Sequence, residues 1–158
     1  MNPQKLAQDF ARTTWVINKQ AEGLTHEQSL LQPPFRANCF NWVVGHLVDN
    51  RNRVLATLGK ESVLPEAARY ERGSEEMDAA GETAVSFPIL LQAINDAQNT
   101  ISTALAELTS DDLAQWLDAE KRHSLGDRLA FLQWHETYHV GQLELLRQLT
   151  GVNDAIIT

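Results

Sequence analysis

The chain has 158 residues, 43% of them apolar, which fits one domain able to bury a real core and leaves no room for a second of full size. Thirteen Lys plus Arg against 21 Asp plus Glu give a net charge of -8, which repels a phosphate backbone and argues against nucleic-acid binding. No apolar run approaches the roughly 18 residues a membrane span requires, and the single Cys39 excludes an internal disulfide framework; the expectation is a cytoplasmic protein with no membrane partner.

Asn2 and Pro3 open the first predicted helix, since an asparagine accepts a bond at N-cap and a proline ring costs nothing at the first helical position. Leu6, Phe10, Thr13 or Thr14, and Ile17 follow at helical spacing until Gly23, which gives helix one over residues 3 to 21. Thr25-His26-Glu27-Gln28 has the form of a capping box opening a short turn, which Pro33-Pro34 must end. Asn38 or Asn41 can cap helix two, over 39 to 58, where Phe40, Val43, Val44, Leu47, Val54 and Leu58 form an apolar stripe before Gly59. Residues 60 to 85 hold Pro65, Gly73, Gly81 and many charges, a long connection with a helical turn around 65 to 70.

Ser86 and Pro88 open helix three, whose Ile94, Ala97, Ile101, Leu105 and Leu108 keep the helical period to about residue 108. A short capped turn follows at Ser110-Asp111-Asp112-Leu113. Ser124-Leu125-Gly126-Asp127 repeats the capping logic, and leucines from Leu125 to Leu149 define helix four over 125 to 149, ended by Gly151. No segment alternates with period two, so the chain reads as all-α, a four-helix bundle. A helix of 18 residues is about 27 Å long, and the link between helices two and three can return that distance. The expected topology is up-down-down-up.

His135 and His139 sit at i and i+4 on helix four, on one face, at the right reach for two ring nitrogens to share a metal. Such a pair also occurs as an ordinary polar surface or core pair, but Leu132, Leu143 and Leu146 turn this face toward the bundle interior, where an unpaired imidazole is costly. His135-Glu136-Thr137-Tyr138-His139 has the form HExxH, yet the zinc-protease reading fails. Downstream of His139 the acidic residues are only Glu144 and Asp154, and Gly141 and Leu145 break the longer zincin pattern. Glu136, about 100° round the helix from His135, reads instead as a solvated or ligand-supporting carboxylate.

A third ligand must come from elsewhere, and His46 stands in the middle of helix two in an apolar setting. Alone it would read as a satisfied core histidine; a histidine clamp on another helix of the same small domain favours the ligand. Gly45 beside it fits a position where a neighbouring group approaches the backbone closely, or simply close helix packing.

The stretch Trp42 to His46, with His135-x-x-x-His139-x-Gly141-Gln142 in the last helix, resembles the DinB/YfiT-like superfamily of metal-dependent enzymes over nearly the whole chain, including the long second link. The resemblance implies a four-helix bundle in which His46, His135 and His139 hold a divalent metal, commonly zinc or nickel, and often a homodimer. Some members look like thiol-dependent S-transferases or isomerases that use mycothiol or bacillithiol, so it further implies a small-molecule substrate and a low-molecular-weight thiol cosubstrate.

Three neutral imidazoles leave a divalent ion with its full charge and a free position, the pattern of catalytic rather than closed structural zinc, and such an ion lowers the pKa of a bound water or thiol. Asn50 and Arg53, one and two turns after His46, and Gln142, one turn after His139, are candidate supporting or substrate-orienting groups, with Arg53 as readily a solvated surface residue. Cys39, two turns before His46, lies too far to share its metal and reads as a small buried apolar residue; His26 and His123 fall in capped turns outside the clamp. Trp42 and Trp134 flank ligands and could line a pocket, while tryptophans of such a bundle belong mostly to core or interface. Two functions follow: a metal-dependent enzyme performing S-transfer or hydrolysis on a small electrophile, or a non-catalytic metal-binding or interaction bundle with a structural metal and a closed interior.

Overall fold

Helix α1 (Pro3–Ala21) begins where its cap chemistry places it: the Asn2 side chain accepts from the Lys5 backbone N–H, and Pro3 occupies the first turn. The computed structural model describes residues 1–158 apart from 75, 76, 78–80, 119, 121, 153 and 155–158, so that part of the long second link lies outside the described residues. After α1 come α2 (His26–Ser29), α3 (Phe40–Thr57), a 3-10 turn at Pro65–Tyr70, α4 (Phe87–Ala106), α5 (Ser110–Leu113) and α6 (Leu125–Leu149). Capping boxes open α2, α5 and α6, formed by Thr25 with Gln28, Thr109 with Asp112 and Ser124 with Asp127. Among the described residues no helix is long and apolar enough to cross a membrane.

The structure departs from expectation at one helix cap and adds one short strand pair to an otherwise helical fold. The N-cap of α3 is Cys39, which makes no side-chain cap bond; Asn41 instead turns inward, donating to the Val85 carbonyl at 3.0 Å and accepting from the Tyr70 hydroxyl at 3.0 Å. The long link, rather than the helix's own first turn, supplies its partners. The protein is mostly helical but not wholly so, because β1 (Trp116–Asp118) pairs antiparallel with β2 (His123–Ser124). Strands of three and two residues with a register irregularity are too short to write an alternating pattern into the sequence.

α1 packs on α4 and α6, and α3 packs on the same two helices. The core falls into two clusters. One joins Ile17 of α1, Val44 and Leu47 of α3, Leu90 of α4 and Leu143 of α6; the other joins Phe10, Leu55, Ile101 and Leu129 of the same four helices. Between the clusters lies a polar layer centred on Arg51, whose side chain is fully buried. Arg51 forks onto both carboxylate oxygens of Glu136, at 3.1 and 2.7 Å. It also donates to the Ile94 carbonyl at 2.8 Å, the Thr14 hydroxyl at 2.8 Å and the Phe10 carbonyl at 3.3 Å. Thr13 donates its hydroxyl to Glu136, so the layer draws on all four long helices.

The link after α3 is strapped to that helix. Asn52 donates to the Leu64 carbonyl at 2.8 Å and accepts from the Val63 N–H at 3.1 Å, which delivers the 3-10 turn to the side of α3. There the Tyr70 ring lies against Gly45 so closely that a Cβ on residue 45 would stand 2.5 Å from two ring carbons. Gly45 is thus the point of close approach that its sequence setting suggested.

Candidate metal centre

His46 enters the site from α3 and His135 and His139 from α6, one helical turn apart. Their Nε2 atoms face one another: His135 Nε2 lies 3.5 Å from that of His46 and 3.2 Å from that of His139. One ligand atom from each of the three residues lies within 4.8 Å of the other two, a group that could hold a metal ion. Two nitrogens that each stand 2.0 to 2.1 Å from one tetrahedral ion are separated by about 3.3 Å, the spacing seen here.

The opposite edge of each ring settles which nitrogen is free. His46 Nδ1 is 2.7 Å from the Tyr70 carbonyl, which can only accept, so Nδ1 carries the proton and Nε2 keeps its lone pair. His135 Nδ1 donates to Asn50 Oδ1 at 3.1 Å, and the Asn50 amide nitrogen donates to the Leu132 carbonyl at 3.1 Å, which fixes the orientation of that amide. His139 Nδ1 donates to Gln142 Oε1 at 2.9 Å. Three lone pairs pointed at one another repel unless a cation stands between them, and oriented imidazoles backed by oxygen acceptors are the usual surroundings of metal-bound histidine. The donor set fits a divalent ion.

Electrostatics keep these rings neutral. Burial lowers the His46 pKa, opposed in part by the Tyr70 carbonyl, and burial lowers that of His139 against its bond to Gln142. His135 is pushed down to about 4, first by desolvation and then by the neighbouring charges of His139 and His46. Trp42 stacks on His46 with ring centroids 5.0 Å apart and holds the ring plane.

The three histidines lie at the wall of an open pocket of about 590 Å³, which Trp42, Trp134, Tyr138 and Leu145 also line. Gln142 lines it as well, whereas Asn50 stands behind His135 and is buried. Arg53 takes the surface alternative: it is partly exposed, pairs with Asp49 at 2.9 Å, lies 3.8 Å from Glu71 and does not line the pocket. Glu136 does depart from its expected place. It is fully buried and both its oxygens are taken by Arg51 and Thr13, so it is neither solvated nor free to serve as a base. The 100° that separates it from His135 turns it inward, because Leu129, Leu132, Glu136, Val140 and Leu143 make up the buried seam of α6. Among the tryptophans Trp42 is buried, but Trp15, Trp116 and Trp134 are 50 to 60% exposed and do not belong to the core. Cys39 is buried, its thiol pushed up by desolvation.

Sequence reasoning missed Arg51 and the Tyr70 carbonyl. Arg51 left a trace, since the α3 stripe runs from Leu47 to Val54 with a turn left open and Arg51 fills it. The carbonyl left none, because a backbone acceptor has no residue type.

No curated protein matches the chain. A crystal structure of a conserved protein from Enterococcus faecalis superposes with a TM-score of 0.77 at 13% identity, covering 95% of this chain and 98% of that one, which shows a shared fold. The family model of the DinB superfamily matches residues 9–143, a span that contains all three histidines, and the chain belongs to that superfamily.

Proposed function

We propose that this protein is a metal-dependent enzyme acting on a small electrophilic substrate by S-transfer or hydrolysis, built on a four-helix bundle of up-down-down-up order. The helix order is supported by the two core clusters, which pair the start of α1 with the start of α6 and the end of α3 with the end of α4. In this reading His46, His135 and His139 hold one divalent ion, zinc or nickel, through Nε2. When bound, such an ion supplies Lewis acidity that lowers the pKa of a water or a low-molecular-weight thiol toward neutrality.

The chain's own residues do the rest. Asn50, Gln142 and the Tyr70 carbonyl hold the Nδ1 protons and so keep each Nε2 unprotonated and aimed. Trp42 holds the plane of His46, and Trp134, Tyr138 and Leu145 give the open pocket an apolar wall for a substrate to lie against. Glu136 takes no part in proton transfer, being committed to Arg51.

The observation that carries this reading is three unprotonated ring nitrogens converging at the wall of an open pocket. A purely structural ion calls for a fourth protein ligand and a closed interior. Among the described residues the cluster has three members, and it opens onto about 590 Å³ of space. The test is turnover of an activated aryl halide and of an activated ester, with and without added low-molecular-weight thiols, by zinc- and nickel-loaded protein. Metal-dependent consumption of either substrate, lost in His46→Ala, is expected; equal rates in loaded, metal-free and variant protein would leave only the non-catalytic bundle.

A further inference from the structure

Two cations line the pocket without a counter-charge among the described residues. Arg36, ahead of α3, and Arg72, just past the 3-10 turn, both line it, and among the described residues neither has an ion pair or a side-chain hydrogen bond. Among the described residues the lining contains no Asp or Glu, although the chain as a whole carries a net charge of -8. Three other arginines pair with carboxylates, Arg51 with Glu136, Arg53 with Asp49 and Arg147 with Asp154, and none of these three lines the pocket. Two guanidiniums with no carboxylate partner among the described residues, in one cleft of an acidic protein, draw anions, since a cleft lined by one sign of charge focuses the field. Each guanidinium also offers a planar fork of donors matched to a carboxylate. The three neutral imidazoles at the same wall bring no negative charge to offset the arginines.

We propose that the pocket takes a small organic carboxylate, anchored by Arg36 and Arg72 with its other end toward the three histidines. What happens at that other end rests on the metal-dependent reading above; the anion site itself does not. Trp42 and Trp134 line the same pocket and would register the ligand in their fluorescence.

The experiment titrates the full chain with succinate, with uncharged succinamide and with inorganic phosphate, following tryptophan fluorescence, once after chelator treatment and once loaded with zinc. Saturable succinate binding that succinamide does not reproduce is expected in both forms, weakened by added salt. Arg36→Gln and Arg72→Gln should each weaken it by about fivefold, as loss of one partly screened charge contact implies. Both side chains are exposed, so the fold should survive. Lys60→Gln, which removes the same charge from an exposed site outside the pocket, should change nothing. Equal binding of succinate and succinamide, a phosphate preference over succinate, or undiminished succinate binding in the arginine variants overturns the proposal. Succinate binding by protein that fails to retain zinc would keep the anion site and sink the metal reading.

Discussion

Each imidazole of the cluster commits one nitrogen to an oxygen acceptor and leaves the other free, and that division of labour is what turns three histidines into a candidate ligand set. The acceptors should therefore matter nearly as much as the rings. Asn50→Ala removes the partner of His135 and is expected to weaken metal binding by about 10- to 100-fold, read by competition against a chromogenic chelator; unchanged affinity would mean that Asn50 does not orient the ring. The histidines themselves were legible because i, i+4 spacing on an inward helix face carries a geometric meaning. Glu136 was less legible, because an angle of about 100° from His135 does not by itself say whether a residue turns toward solvent or toward the core; the four-residue steps from Leu132 to Glu136 to Val140 place it in the buried seam.

Between residue and fold, the α3 helix and the 3-10 turn after it approach most tightly where the Tyr70 ring lies on Gly45. Because the same Tyr70 supplies the carbonyl to His46, a side chain at residue 45 should disturb the site as well as the packing. Gly45→Ala is expected to lower stability by about 1 to 3 kcal/mol, although alanine is the better helix former, and to weaken metal binding with it. Gly141, also helical but with open space where a Cβ would go, is the contrast; Gly141→Ala should raise stability by about 0.4 to 1 kcal/mol. Denaturant midpoints of the two variants check both signs, and a stabilised Gly45→Ala would refute the contact. The limits of the long helices were readable because caps, prolines and terminal glycines are local signals. The β1–β2 hairpin and the turn's grip on α3 were not, since both depend on partners distant in sequence.

Across the whole molecule, the polar layer ties the four long helices at one level, with Arg51 and Glu136 at its centre. Removing one member leaves a buried charge unpaired, so Glu136→Ala and Arg51→Ala are each expected to cost about 3 to 5 kcal/mol, measured by equilibrium denaturation; a cost below about 1 kcal/mol, the range of exposed pairs, would contradict the burial described. The histidines add a pH dependence. Their folded pKa values are depressed, that of His135 to about 4, while unfolded imidazoles titrate near 6.5. Below about pH 6.5 the unfolded chain binds more protons, so metal-free protein should keep its full stability above that pH and lose it as pH falls toward 4. Melting temperatures across that window should fall less steeply in His135→Gln than in the parent, and identical slopes would remove His135 as a source of the effect.

The most direct test is the metal content of protein purified without an affinity tag, compared among the parent, His46→Ala, His135→Ala and His139→Ala. About one divalent ion per chain is expected in the parent and almost none in any of the three variants. Equal metal content in the parent and His46→Ala, with both proteins folded, would contradict a shared site spanning α3 and α6.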